Sequence, residues 1–254
     1  MARLSSAATL LVVIATAAHA NWIAVSSETD RGFVPGLEHQ HVVFQKTETQ
    51  ARAVVDLAIF SAKSFAARIV DNPGGQIDLA DAMAPADCVA GINGGYFDED
   101  FAPIGLLIVD GKTIASFQRT RLLTGVFLAT AQSIQIIRAG EYPVRSSAQS
   151  AVQAGPFLID LSRPVRGLEA MREARRSFAA TAGARVALGY CSEVSLAELA
   201  ALLGAGFSGL KIQRALNLDG GSSSAFWFKR RNGSAFSIPE EKPVRDFIGI
   251  TTKQ

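Results

Sequence analysis

Histidine and cysteine, the side chains most often used for transition-metal binding, are scarce in this sequence. The 254 residues include 3 His and 2 Cys. His39 and His41, spaced two apart on a strand, would share one face, but no third ligand lies near them. The serine run "GGSSSA" does not match the G-x-S-x-G turn of a nucleophilic serine. The sequence therefore predicts no metal, no cofactor and no Ser-His-Asp triad.

Basic clusters are also missing. The net charge is +2, from 25 Lys and Arg against 23 Asp and Glu. No run of Lys and Arg is interleaved with aromatic residues, so no nucleic-acid partner is expected. The glycine-rich segments are not followed by Gly-Lys-Ser/Thr, which argues against a nucleotide-phosphate loop.

The two cysteines, Cys88 and Cys191, leave two interpretations open. Export would permit a disulfide between them. Both sit in apolar segments that look like the ends of buried strands, where a free cysteine behaves as a small hydrophobic residue. Sequence alone does not fix the Cα separation that a disulfide requires.

Long apolar runs are confined to the N-terminus. Residues 1–20 combine a basic residue, an apolar run and an Ala-His-Ala ending, which predicts a signal peptide cleaved before Asn21. An uncleaved anchor is the alternative. No other stretch reaches the ~20 apolar residues of a membrane span, so a periplasmic or secreted protein without a span is expected.

The mature chain, 21–254, is predicted to be one α+β domain with a mixed β-sheet core, several hairpins and a few flanking helices. Asp110-Gly111 and Asn232-Gly233 are typical of hairpin turns. Ser195 and Glu198 form a capping box for a helix over 195–206. A second helix is expected over 76–85, and the alternating charges of 167–176 are interpreted as a solvated helix face.

Two segments share one unusual pattern, namely an apolar approach, a polar residue, a Gly-Gly pair and then aromatic residues. They are "GINGGYFDEDFAPIG" (91–105) and "ALNLDGGSSSAFWF" (215–228). Glycine pairs let a ligand approach the backbone amides, and Tyr96 and Phe97 could offer flat faces to a sugar ring. Taken singly, each segment could be an ordinary hairpin turn. Taken together, they predict one shared pocket containing Asn93 and Asp219.

These segments resemble the phosphodiester glycosidase family. The matching blocks are "INGGYFDEDFAPIG", "QAGPFLI" (153–159), "RRSFAA" (175–180) and "NLDGGSSS", in that order along residues 52–252. The chain departs from the family pattern at Ser177, where Thr is usual, and at Ala180, where Gly is usual. Arg176 matches the family's arginine, although the adjacent Arg175 could take its place in the alignment.

The resemblance implies an exported hydrolase that removes the sugar from a glycosyl phosphodiester or a related envelope or polysaccharide glycan. Arg176 would hold the phosphate, and its alternative role is a surface ion pair at a helix end. Asp219 would be the catalytic base or nucleophile, with Asp98 as the second choice. The expected substrate-binding residues are Asn93, Gly94, Gly95, Tyr96, Phe97, Gly155, Gly220, Gly221, Ser222 and Ser223. The alternative function is a non-catalytic glycan-binding envelope protein that keeps the same pocket.

Overall fold

A computed structural model describes residues 22–143 and 147–253 of the chain. The predicted signal peptide, 1–20, lies outside the described residues. Within the described residues, no helix has the length and apolarity that a membrane span requires.

The described residues form eighteen β-strands and two short α-helices. The strands are β1 (Trp22–Arg31), β2 (Glu38–Lys46), β3 (Arg52–Ser61), β4 (Phe65–Asp71), β5 (Ala90–Asn93), β6 (Leu107–Val109), β7 (Lys112–Ala115), β8 (Gly125–Ala129), β9 (Ile134–Arg138), β10 (Ser150–Ala154), β11 (Phe157–Asp160), β12 (Arg163–Pro164), β13 (Ala174–Ala182), β14 (Arg185–Val194), β15 (Arg214–Asn217), β16 (Phe226–Lys229), β17 (Ala235–Ile238) and β18 (Asp246–Thr252). The helices are α1 (Leu79–Met83) and α2 (Leu196–Ala205).

The strands form three sheets. The largest has the order β1-β2-β3-β14-β13-β15-β11-β12, and the two five-stranded sheets have the orders β7-β6-β10-β8-β9 and β17-β16-β5-β18-β4. Every strand pair described is antiparallel, whereas a mixed sheet was expected. With eighteen strands and only two short α-helices among the described residues, the fold is richer in strands than the α+β prediction implied.

The core is divided by the large sheet. One face packs against the two smaller sheets, with Phe60, Phe127 and Phe226 fully buried between them. The other face is covered by α2 through Leu199 and Leu203. Because α2 begins with the predicted Ser195–Glu198 capping box, the backbone amides of its first turn are satisfied as the sequence indicates.

Two predicted features differ in the structure. The expected helix over 76–85 is shorter and runs only from Leu79 to Met83. The charged segment 167–176 is not a helix. Gly167 has a φ of +74°, and the Glu169 carboxylate accepts hydrogen bonds from the amides of Met171 and Arg172, so a turn forms. The chain then enters β13, whose pairing with β14 overrides the local helical pattern.

The cysteines are free and buried in separate clusters. Cys88 packs with Met83, and Cys191 lies on the α2 side of the large sheet. Burial raises the pKa of the Cys88 thiol to about 12, so this thiol behaves as an apolar group rather than a nucleophile.

Candidate active site at the two glycine corners

The two glycine corners lie side by side. Nδ2 of Asn93, at the end of β5, donates to the Asp219 carbonyl at 2.8 Å, and the Ala225 amide donates to Oδ1 of Asn93 at 3.1 Å. The Asp219 amide donates to the Gly94 carbonyl at 3.1 Å. Since Asn93 is fully buried and bonded at both ends of its amide, it joins the corners rather than facing a sugar, which differs from its expected role.

The amides of the first corner are already bonded within the protein. The Gly94 amide donates to the Asp246 carbonyl at 2.9 Å, and the Gly95 amide donates to Oδ1 of Asp246 at 3.2 Å. A Cβ on Gly94 would overlap that same carboxylate. The glycines are therefore needed for close packing, and the expected use of their amides to bind an anion does not fit this geometry.

The second corner is more open. Asp219 is half-buried, and its Oδ1 accepts the Gly220 amide at 2.9 Å. Burial raises the pKa of the Asp219 carboxyl, while the Ser223 hydroxyl and the Gly220 amide oppose that shift. Among the described residues, no group accepts a hydrogen bond from the amides of Gly221 and Ser222.

Arg176 lies beside this corner. It is 8% exposed on β13, with Nε donating to the Val194 carbonyl at 2.9 Å and Nη2 to the Arg172 carbonyl at 2.7 Å. Its Nη1 would be 3.8 Å from a Cβ placed on Gly220, and no described residue accepts from it. The guanidinium is thus held on two sides with one nitrogen directed toward the corner, and it is not the surface ion pair of the alternative interpretation.

The neighbouring Arg175 instead binds groups of the protein itself. Its Nη1 forms an ion pair with Glu241 at 2.7 Å, and its Nη2 donates to the carbonyls of Ser224 and Pro239. Glu241 in turn donates its amide to the Ser222 carbonyl at 2.7 Å. These contacts fix the loop that follows Gly220, so the geometry favours Arg176 over Arg175 as the ligand-facing arginine.

Tyr96 and Phe97 serve the fold more than a ligand. The Tyr96 hydroxyl donates to the Gly155 carbonyl at 2.5 Å and accepts from Nδ2 of Asn217 at 3.0 Å. Burial raises the pKa of Tyr96, the Asp219 charge adds to that shift and Arg176 opposes it, so the three groups share one electrostatic environment. Phe97 stacks on Phe101, with ring centroids 5.2 Å apart.

Asp98 lies in an exposed turn. Its Oδ1 accepts from the amides of Asp100 at 3.0 Å and Ala102 at 2.9 Å. An exposed carboxylate that caps its own loop is typical of a turn residue. The geometry therefore favours Asp219 over Asp98 as the reacting carboxylate.

Asp246 is the site residue that sequence reasoning missed. It is 2% exposed behind Gly94 and Gly95. Burial is the main cause that raises its pKa to about 7; the Gly95 amide and Arg245 lower the pKa, whereas Asp71 and Asp219 raise it further. The available signal was a carboxylate that opens the otherwise apolar strand "DFIGI".

Two other features lie away from the corners. His39 Nε2 and His41 Nδ1 are each 2.9 Å from Oδ1 of Asp56, and the described residues hold no metal-binding group of three or more His, Cys, Asp or Glu side chains. A cavity of about 990 Å³ lies against α2, between that helix and the segment around Pro164, and no corner residue lines it. This cavity is therefore separate from the two corners.

Comparison with known proteins identifies the family. The phosphodiester glycosidase family model matches residues 86–251, a range that includes both corners, Gly155 and Arg176. This chain belongs to the phosphodiester glycosidase family. The resemblance found in the sequence blocks is thereby confirmed.

Solved structures share the fold of this phosphodiester glycosidase family member. The zebrafish N-acetylglucosamine-1-phosphodiester alpha-N-acetylglucosaminidase catalytic domain, auto-inhibited by its pro-peptide, superposes with a TM-score of 0.65 at 16% identity, covering 90% of this chain and 89% of the other. A hypothetical protein from Synechocystis gives a TM-score of 0.60 at 17% identity, with coverages of 90% and 64%.

A curated relative matches over a shorter stretch. The uncharacterized protein YigE of Escherichia coli (strain K12) is 32% identical over 89 residues, which is 32% of this chain and 35% of YigE. The matched stretch thus spans about a third of that relative.

Proposed function

We propose that this protein is an exported hydrolase that releases the sugar from a glycosyl phosphodiester at the second glycine corner. The observation that supports this most is the joint between Asn93 and Asp219, because it brings the family's two most specific blocks together beside Arg176. Export is supported by the sequence pattern of residues 1–20.

Arg176 would bind the phosphate group of the substrate. Its Nη1 is the donor left free by the two carbonyl contacts, and a guanidinium suits phosphate oxygens. The amides of Gly221 and Ser222 lie on the same corner and could share the anion, in place of the first-corner amides that Asp246 occupies. Placing a rigid arginine in a desolvated setting strengthens its attraction for an anion.

Asp219 would act on the sugar side of the scissile bond. The C1–O bond breaks, its electron pair leaves with the phosphate oxygen, and a water adds to C1 while its proton passes to the Asp219 carboxylate. A carboxylate also stabilises the positive charge that develops on the sugar in such a transition state. Since phosphate is already a good leaving group, strong acid assistance is not needed.

Hydrolysis in ¹⁸O-labelled water tests this proposal. The purified mature protein is incubated with a sugar 1-(methyl phosphate), and the masses of the two products are measured by mass spectrometry. Cleavage of the sugar–oxygen bond places ¹⁸O in the free sugar. Label in methyl phosphate would show phosphorus–oxygen cleavage and contradict the proposal. Binding of the substrate without turnover would favour the glycan-binding alternative instead.

A further inference from the structure

We propose that the loop of residues 118–123 forms a second anion subsite, which binds a further phosphate or carboxylate group of the substrate. This inference rests on the proposed function, because it extends the substrate beyond the scissile phosphodiester. The loop contains the exposed Arg119 and Arg121, and these line a cavity of about 300 Å³ together with Phe117 and Gly140.

The arginines of the loop have no acidic partner. Neither Arg119 nor Arg121 forms an ion pair or a side-chain hydrogen bond with any residue in 22–143 or 147–253. Glu141, which follows the cavity residue Gly140 in the chain, is already neutralised, and so is Asp160, the partner of Arg138. Arg214 binds Glu141 through two hydrogen bonds of 2.6 and 2.9 Å, and Arg138 binds Asp160 at 2.7 Å. The cavity rim therefore carries an uncompensated positive charge, which favours anions.

The loop is held in place by a buried side chain. Gln153 is 2% exposed, and its Oε1 accepts from the amides of Leu106 and Gln118, each at 3.0 Å. Its Nε2 donates to the carbonyls of Gln118 at 2.6 Å and Leu123 at 3.4 Å. Both ends of the loop are thus fixed by one residue, so the arginines are presented on a preorganised backbone. Preorganisation lowers the entropic cost of ligand binding.

The loop adjoins the proposed active site through Gly155. A Cβ on Gly155 would overlap the Leu122 carbonyl, so the loop backbone packs directly on this glycine. The Gly155 carbonyl accepts from the Tyr96 hydroxyl and from Nδ2 of Asn217. Tyr96 shares the electrostatic environment of Asp219 and Arg176. The loop and the proposed active site therefore pack against one buried network, and in this proposal the substrate extends from Arg176 toward Arg121.

A matched pair of substrates tests the subsite. One is a sugar 1-phosphodiester of glycerol, and the other carries an additional phosphate monoester on the same glycerol. We expect the wild type to prefer the second substrate in kcat/KM. Arg119→Gln/Arg121→Gln should lose about 10-fold or more of that preference and leave the glycerol substrate unchanged, since a charge-assisted contact contributes about one power of ten. The preference should also weaken at high salt.

The control variant is Arg163→Gln/Arg166→Gln. These two arginines are also exposed and without an ion pair among the described residues, but they line the cavity against α2. The control should keep the wild-type preference. Equal kcat/KM for both substrates in the wild type, or an equal loss on both substrates in the loop variant, would overturn the subsite.

Binding of inorganic tripolyphosphate separates this inference from the proposed function. If the wild type cleaves neither substrate, the proposed function fails, and calorimetric titration with tripolyphosphate decides the subsite. Weaker binding by the loop variant than by the wild type and the control supports the subsite, whereas equal affinity in all three proteins refutes it.

Discussion

The two glycine corners share one sequence pattern but differ in burial and in the hydrogen bonds that their backbone amides form. At the first corner, Gly94 and Gly95 are buried and both amides bind Asp246. At the second, Asp219 and Gly221 remain half-buried, and Arg176 directs a free nitrogen toward the adjoining Gly220. The first corner positions the second, which carries the groups that suit a phosphodiester.

The difference shows that a glycine pair indicates close approach without saying what approaches. At Gly94 the approaching group is the protein's own Asp246 carboxylate. At Gly220 the atom nearest to an added Cβ would be the Arg175 carbonyl oxygen, at 3.2 Å, which is a tight contact but not an overlap. Only the tertiary structure distinguishes a glycine that is packed from one that faces a ligand.

Asp219→Asn should have the largest effect on activity. Removing the carboxylate while keeping a nearly isosteric side chain should lower turnover of a glycosyl phosphodiester by about 10²–10⁴-fold. Because burial raises the pKa of Asp219, wild-type activity should rise with pH through a pKa above the ordinary value of 3.8. Steady-state kinetics across pH and a melting curve check both points. Unchanged turnover with unchanged melting would remove Asp219 from the mechanism.

A pair of alanine substitutions tests the contrast between the corners directly. Gly94→Ala places a Cβ on the Asp246 carboxylate and should destabilise the fold by about 3 kcal/mol or more. Gly220→Ala places its Cβ 3.2 Å from the Arg175 carbonyl oxygen and 3.8 Å from Nη1 of Arg176, a tight contact without overlap, and should cost about 1 kcal/mol. Urea unfolding of both variants measures the difference. Equal losses would mean that the corners are not packed differently.

Asp246→Asn tests the buried carboxyl of the first corner. Since the pKa of Asp246 is about 7 in the folded protein against an ordinary 3.8, the fold binds a proton that the unfolded chain has released. Wild-type stability should therefore fall as pH rises from about 4 to 7, by up to about 4 kcal/mol, and stay level above that range. The variant should lack this fall while keeping the acceptor for the Gly95 amide. The same pH slope in both proteins would contradict the assignment.

Asp98→Asn should have the smallest effect. Asn can accept the same two amide hydrogen bonds in this exposed turn, so stability should change within about ±0.5 kcal/mol and turnover should not change. This variant is also the matched control for Asp219→Asn, because it removes an equal charge near the first corner. A large loss of turnover would return Asp98 to the reacting centre.

Local signals predicted much of the fold. The hairpin turn at Asp110 and Gly111 has the expected positive φ values of 47° and 78°, and α2 begins at the predicted capping box. These features depend on neighbours within a few residues, which is what a sequence pattern contains. The helix predicted over 167–176 was wrong because the strand that pairs with its end follows later in the chain and decides its conformation.

The site could be predicted only in part. The family resemblance located Asp219 and Arg176, and the structure places them at one corner. Asp246 was missed, and Asn93 and Tyr96 were expected to bind ligand although both are bonded inward. The direction of a side chain depends on strand pairing between residues as far apart as Asn93 and Phe247, and no local pattern encodes that pairing.

The most direct test of the proposed site is a crystal structure of Asp219→Asn bound to an uncleaved glycosyl phosphodiester. We predict that a phosphate oxygen lies within hydrogen-bonding distance of Nη1 of Arg176, with C1 of the sugar facing residue 219. A ligand bound against α2, or one whose phosphate makes no contact with Arg176, would contradict this prediction.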